Sequence, residues 1–276
     1  MMVKILDLPW RRWFRRRLGP AIPALTMALA GATLAPAAFA DQDVPAPRRV
    51  TASVHVAAAT ADSATLLWRF DLAPSWHLYG PYRNDTGLPP RIALELPAGW
   101  QAGPLSWPPA ERHLLAGEIL DHVYHHGLDL LQTVRFPAGA PARELTAELR
   151  WLVCADICVP GDTTLAMSLP APSDPAVQDR HARAAAAIPG PLPASRYTAR
   201  RDPGRITLTV PGAARLRLLP AAEGPLLADL IGDGEVAGEV LTLELASGPA
   251  GRGPLDALLL IDYHDGDRAS GWITVP

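Results

Sequence analysis

The chain has two cysteines, Cys154 and Cys158, in the string Trp151-Leu152-Val153-Cys154-Ala155-Asp156-Ile157-Cys158-Val159-Pro160. A fully extended segment would hold their Cα atoms roughly 13 Å apart, whereas a disulfide needs about 4.4 to 6.8 Å. A bridge between them therefore demands a turn within Ala155-Asp156-Ile157, and Pro160 opposes continuing that turn as a helix. So short a ring restricts the unfolded chain by only about 2 kcal/mol in the loop-entropy description, less than a bridge between distant strands would give. A structural clip could be placed to better effect. Thiol-disulfide exchange is accordingly the favoured chemistry, with the clip as its alternative.

Exchange requires a thiolate, an accessible sulfur and a resolving partner close by, and Cys154 and Cys158 supply the pair. The C-x-x-x-C spacing differs from the thioredoxin C-x-x-C, so a thioredoxin-like identity does not follow. Asp156 between the cysteines raises a neighbouring thiol pKa by like-charge repulsion, which suits a moderate reductant, and Arg150 nearby opposes that effect.

The histidines offer a rival site. His122, His125 and His126 form H-x-x-H-H, with His77 and His113 elsewhere, and neighbouring imidazoles can bind copper or zinc. The segment Asp121 to Gly127 reads as a loop or hairpin tip, where histidines are solvated. No metal ligand or cofactor is assigned, and replacing the three histidines is expected to leave exchange nearly unchanged. Trp68, Trp76, Trp100, Trp107 and Trp151 read as core residues and loop anchors. No Ser-His-Asp order, phosphate-cradling glycine loop or paired carboxylate motif supports a hydrolase.

These residues must be carried by strands. Val50 to Val56 alternates apolar and polar positions, and similar short runs follow at Ala64 to Leu72, Arg91 to Leu96, Leu128 to Phe136, Leu145 to Val153 and Thr163 to Leu169. Short strands separated by Pro- and Gly-bearing loops predict a β-sandwich. Ser173-Asp174-Pro175 can cap a helix over Ala176 to Ile188, ended by Pro189-Gly190-Pro191-Leu192-Pro193. Further strands are predicted at Arg205 to Val210, Arg215 to Leu219, Val240 to Leu245, Ala257 to Tyr263 and Ser270 to Val275, with Asp265-Gly266 signalling a type I′ hairpin. The expected fold class is all-β: an immunoglobulin-like sandwich over residues 41–172, a helical and Pro-rich connector over 173–195, and a second, smaller β-sandwich over 196–276. The second has no cysteine and no catalytic spacing, so its expected role is structural or in partner docking.

The first forty residues have the form of an export signal. Lys4, Arg11, Arg12, Arg15, Arg16 and Arg17 precede an apolar stretch from Leu18 to Leu34 that closes on Ala38-Phe39-Ala40. A spanning helix needs about 20 strongly apolar residues, and Gly19, Pro20, Pro23 and Gly31 interrupt this one. Cleavage before Asp41 and a periplasmic location are expected, by the general export route or, given Arg11-Arg12, the twin-arginine route. Without residues 1–40, 19 basic residues face 27 acidic ones, a net charge of −8. That balance argues against nucleic acid or an anionic membrane as the main partner.

The sequence resembles the N-terminal periplasmic domain of the DsbD and suppressor-of-copper-sensitivity B (ScsB) thiol reductases. The resemblance runs through Trp76-His77-Leu78-Tyr79, Gly87-Leu88-Pro89-Pro90, Leu96-Pro97-Ala98-Gly99-Trp100 and Trp107-Pro108-Pro109-Ala110-Glu111-Arg112. It culminates in Trp151-Leu152-Val153-Cys154 with Cys158-Val159-Pro160-Gly161, its most specific part. It implies an immunoglobulin-like domain that takes electrons from a membrane domain and passes them to periplasmic disulfide proteins. Cys154 and Cys158 would be the redox pair, Cys158 forming the mixed disulfide with a client. A cap shielding the sulfurs would fall near Glu111 to Leu115. The family's membrane and thioredoxin-like domains do not follow here, so a separate membrane thiol reductase is the expected electron donor, unless the chain is a truncated relative that has lost its donor. The alternative function is a non-catalytic sandwich that binds a partner or copper, with a structural disulfide.

Overall fold

The structure, a computed structural model, describes residues 49–276. The expected signal at residues 1–40 lies outside the described residues. The first ten strands are β1 (Val50–Ala59), β2 (Ser63–Leu72), β3 (His77–Tyr79), β4 (Arg91–Leu94), β5 (Gln101–Ala102), β6 (Glu111–Leu115), β7 (Ile119–His125), β8 (Gly127–Arg135), β9 (Arg143–Cys154) and β10 (Cys158–Leu169). They form two antiparallel sheets, one in the order β1-β2-β8-β5 and one in the order β10-β9-β3-β7-β6 with β4 also on β9.

Period-two alternation builds the core between them. Leu66, Trp68 and Phe70 of β2 and Leu128 and Leu130 of β8 meet Leu78, Tyr124, Ala147, Leu149 and Val153 from the other sheet. Trp68 is fully buried, and its indole N–H donates to Gln132 Oε1 at 3.1 Å, so its polar end carries no desolvation penalty. Each such large apolar side chain contributes roughly 1.5–3 kcal/mol on burial. This is the expected immunoglobulin-like all-β fold.

Asp174 caps the next segment through a hydrogen bond from Ala176 N, with Pro175 in the first helical position. A single 3-10 turn (Pro175–Val177) leads into helix α1 (Gln178–Ala187). Val177 and Ala184 pack on Ala57, Leu67 and Leu131, and Arg180 pairs with Asp129, so the helix rests on the first sheet.

The remaining strands are β11 (Thr198–Asp202), β12 (Arg205–Thr209), β13 (Ala213–Pro220), β14 (Glu235–Ala237), β15 (Val240–Glu244), β16 (Leu255–Tyr263) and β17 (Arg268–Val275), with the short helix α2 (Leu230–Asp233) before β14. They form the sheets β11-β12-β15 and β14-β13-β16-β17 around their own core of Ile206, Leu208, Leu216, Leu218, Leu243 and Ile261. The β16–β17 hairpin is present, but only Gly266 has a positive φ, 91°. A type I′ turn needs positive φ at both central residues. Here Gly266 N donates to Tyr263 O and Tyr263 N to Asp267 O, a three-residue loop in place of the predicted two.

The two halves touch extensively. Leu219 and Leu258 lie within the first core, Tyr82 stacks on Trp272 with ring centroids 6.0 Å apart, and Arg83 donates to Ala222 O and Gly224 O. Arg112 of β6 reaches Glu235 Oε2 at 2.9 Å and Leu230 O at 3.0 Å.

Candidate functional site

Strands β9 and β10 pair along all twelve residues of each, from Arg143 opposite Leu169 to Cys154 opposite Cys158. The turn Ala155–Ile157 closes the ladder, with Ala155 N donating to Ile157 O at 3.0 Å. Its last rung is covalent: Cys154 and Cys158 form a disulfide with Cα atoms 4.1 Å apart. Directly opposed strand residues come within about 4.5 Å, so the strand pair itself supplies the approach. Pro160 fits because β10 is an edge strand and needs no second ladder. The two sulfurs differ in surroundings: Cys154 is 1% exposed, whereas Cys158 is exposed.

Strand β3 lies between β9 and β7, and His77 stands opposite both Cys154 and His125. Tyr79 stands opposite Val123, and on the next strand His113 of β6 stands opposite Asp121. Cross-strand partners share a face. One face of this sheet, turned away from the core, therefore carries Cys154, His77, Tyr79, Val123, Asp121, His113 and His125. The imidazole centroids of His77, His113 and His125 are 5.3, 5.5 and 5.6 Å apart. Burial, followed by the neighbouring His113 and His125, lowers the His77 pKa to about 4. His77 is neutral at pH 7.

The segment after β3 folds over this face. Thr86 donates through N and Oγ1 to the fully buried Asp121 carboxylate at 3.0 and 2.5 Å, and Leu120 N donates to Asp85 Oδ2 at 2.7 Å. Gly87 lies flat on the Tyr79 ring, where a Cβ would meet ring atoms at 2.1 Å. The Tyr79 hydroxyl is 3.4 Å from Thr86 Oγ1 and 3.9 Å from Cys158 Sγ, and burial raises its pKa. Glu111 to Leu115, where a cap is expected, form a paired strand from which His113 joins the cluster, and the loop Asn84 to Gly87 packs over Tyr79.

The H-x-x-H-H reading is corrected. His122 and His125 lie in β7, not in a loop, and strand positions an odd number apart face opposite ways, so the sheet separates them. His122 is fully buried, its Nδ1–H donating to Arg83 O at 2.8 Å, while His126 sits at the hairpin tip with φ 66°. The solvated-loop argument for all three therefore fails: only His126 is exposed. Among the described residues no group of three or more His, Cys, Asp or Glu side chains is placed to hold a metal ion.

Burial is also the main cause that lowers the His122 pKa to about 4, with Arg112 adding to it against Asp121, Asp85 and the hydrogen bond to Arg83 O. Because the folded pKa lies below the unfolded value of about 6.5, the unfolded chain binds protons more readily as pH falls through that window. The melting temperature is expected to drop between about pH 6.5 and pH 4, and to drop less in His122→Gln. Thermal unfolding followed across that pH range checks it; parallel curves for the two proteins would contradict it.

Fold and site together define an immunoglobulin-like β protein with a disulfide at the end of one strand pair. Residues 43–170 match the family described as "Thiol:disulfide interchange protein DsbD, N-terminal". The chain is similar to the N-terminal periplasmic domain of ScsB from Proteus mirabilis, with TM-score 0.60 and 15% identity over 84% of this chain and 95% of that one. A match confined to residues 43–170 could not reach that share, so the likeness in fold includes strands on both sides of α1. Two structures from Neisseria meningitidis also match. The DsbD N-terminal domain in the reduced form gives TM-score 0.32 and 20% identity over 44% of this chain and 85% of that one. The complex between the DsbD N-terminal and PilB N-terminal domains gives 0.31 and 19% over 45% and 87%. No curated protein sequence matches. No described helix is long and apolar enough to cross a membrane.

Proposed function

We propose that this protein is a periplasmic thiol-disulfide interchange component. It passes reducing equivalents from a separate membrane thiol reductase to periplasmic disulfide proteins through Cys154 and Cys158. Residues 41–172 form the redox domain, and residues 196–276 a second β domain that supports it. The observation that carries this reading is the unequal exposure of the two sulfurs across one strand rung. An exposed Cys158 can meet a client disulfide, and a buried Cys154 opposite it can resolve the mixed disulfide without competing for the client. The match of residues 43–170 to the DsbD N-terminal family supports the same chemistry. A five-residue ring adds little to stability, so reduction leaves the fold in place and the pair can cycle.

The reduction potential of the pair tests this reading. Equilibration with glutathione or thioredoxin is expected to place it between about −180 and −270 mV, the range of exchanging pairs. A value below about −300 mV would mark a structural bridge.

A further inference from the structure

From the three-imidazole face around Cys154 we infer that His77 is the proton acceptor for the Cys154 thiol in the resolving step, with His113 and His125 carrying the proton to solvent. The inference rests on the exchange function proposed above. In that function the Cys158 thiolate attacks a client disulfide, forming a Cys158–client bond and expelling one client thiolate. Cys154 must then lose its proton and attack Cys158 Sγ, forming the Cys154–Cys158 bond and breaking the Cys158–client bond. The second client sulfur leaves as a thiolate and is protonated. Two thiols of this protein become a disulfide, one client disulfide becomes two thiols, and the two protons lost by the pair are gained by the client.

The difficulty lies at Cys154. Burial disfavours a thiolate, so a thiol that is 1% exposed needs a base at hand. His77 is its cross-strand partner on the same face, and opposed side chains have Cβ atoms about 4.5–5.5 Å apart. The groups around His77 are few: Tyr79 on its own strand, Cys154 on β9, His125 and Asp121 on β7, and His113 on β6. None is a fixed cation. Burial and the two other imidazoles hold His77 in its neutral, proton-accepting form, and a thiolate formed beside it restores its basicity by opposite charge. His77 is itself only 6% exposed, whereas His113 and His125 are partly exposed and their rings lie within 5.6 Å of it and of each other. A proton can cross such spacings directly or through one water. A packing role alone would not call for three adjoining imidazoles on the face that carries the sulfur.

The test uses the reduced full protein and the aromatic disulfide dithiobis-nitrobenzoate, which releases one coloured thiolate on attack by Cys158 and a second when Cys154 resolves the mixed disulfide. Stopped-flow absorbance over about pH 5 to 9 separates the two. In His77→Ala the second release at neutral pH is expected to slow by about a hundredfold, the lower range for a general base, with the first release unchanged. Its rate in the variant should climb steadily with pH across the whole range, because the buried thiol must ionise unaided, and free imidazole in the buffer should restore it. His77→Asn serves if the alanine variant does not fold, and His113→Ala with His125→Ala should give a smaller loss of the same kind. Identical second-release rates and pH profiles for wild type and the His77 variants, or a slowed step that imidazole does not rescue, would overturn the inference. If the wild type gives no second release at any pH, the exchange function itself fails, which is a different result.

Discussion

Cys154→Ser is expected to hold a client covalently, and Cys158→Ser to hold none. In the first variant the exposed Cys158 still attacks, but the opposed sulfur that would displace the client is gone. Release then depends on thiols arriving from solution in place of a group already aligned on the facing strand. Loss of that intramolecular alignment should slow release by on the order of a thousandfold or more. In the second variant the remaining sulfur is the buried one, beneath Tyr79 and beside His77, so no client can reach it. Non-reducing electrophoresis of periplasmic extracts should show a higher-mass band, sensitive to dithiothreitol, for Cys154→Ser alone. Two variants that trap nothing and differ from wild type only in melting temperature would make the disulfide a clip.

The second large effect is expected at Asp121, a residue with no sulfur chemistry. Its buried carboxylate accepts two hydrogen bonds from Thr86 and so fastens the loop that keeps Tyr79 against Cys158. Asp121→Ala removes both acceptors, at a cost of about 1–3 kcal/mol. That loss falls on the opening of the loop, and each 1.4 kcal/mol multiplies an open population about tenfold. Reaction of the buried Cys154 thiol with dithiobis-nitrobenzoate in a Cys158→Ser background should therefore accelerate by about tenfold or more when Asp121→Ala is added, while the protein stays folded within a typical stability of about 5–15 kcal/mol. Asp121→Asn, which keeps one acceptor, should fall in between. Gly87→Ala offers an independent route to the same opening, because its methyl group cannot coexist with the Tyr79 ring as placed. An unchanged rate with Asp121→Ala would mean that the loop does not govern access to Cys154.

The contrast between these residues shows what could be read before folding. The strands β2, β8, β9 and β16 were legible because each alternates or runs apolar between clear breakers, and the cysteine pair because its spacing demanded a turn that a hairpin supplies. The strand β7 was not. Ile119-Leu-Asp-His-Val-Tyr-His125 is buried on both faces along most of its length, so polar and apolar residues follow one another without period two. Asp121 and His122 tolerate that burial only through partners 35 and 39 residues away in sequence, which no local pattern reveals. The place of His77 beside Cys154 was not legible for a related reason. Its significance comes from standing between the ends of two strands far apart in sequence, next to Cys154 on one side and His125 on the other. A three-residue strand is too short to announce itself by periodicity.

The contact of Arg83 with the second set of strands bears on how the protein can be trimmed. Its backbone N–H donates to Pro220 O, its guanidinium holds Ala222 O and Gly224 O, and its own carbonyl receives His122. One residue farther along begins the loop that packs over Tyr79. A fragment cut after β10 would retain both cysteines and nearly the whole matched family segment, yet it would strand Tyr82 and Arg83 in water and loosen the cover from behind. Its Cys154 sulfur would react as that of an unroofed site. Rates gathered on such a fragment would describe the strand rung alone, and the smallest piece that reports native access extends through β17.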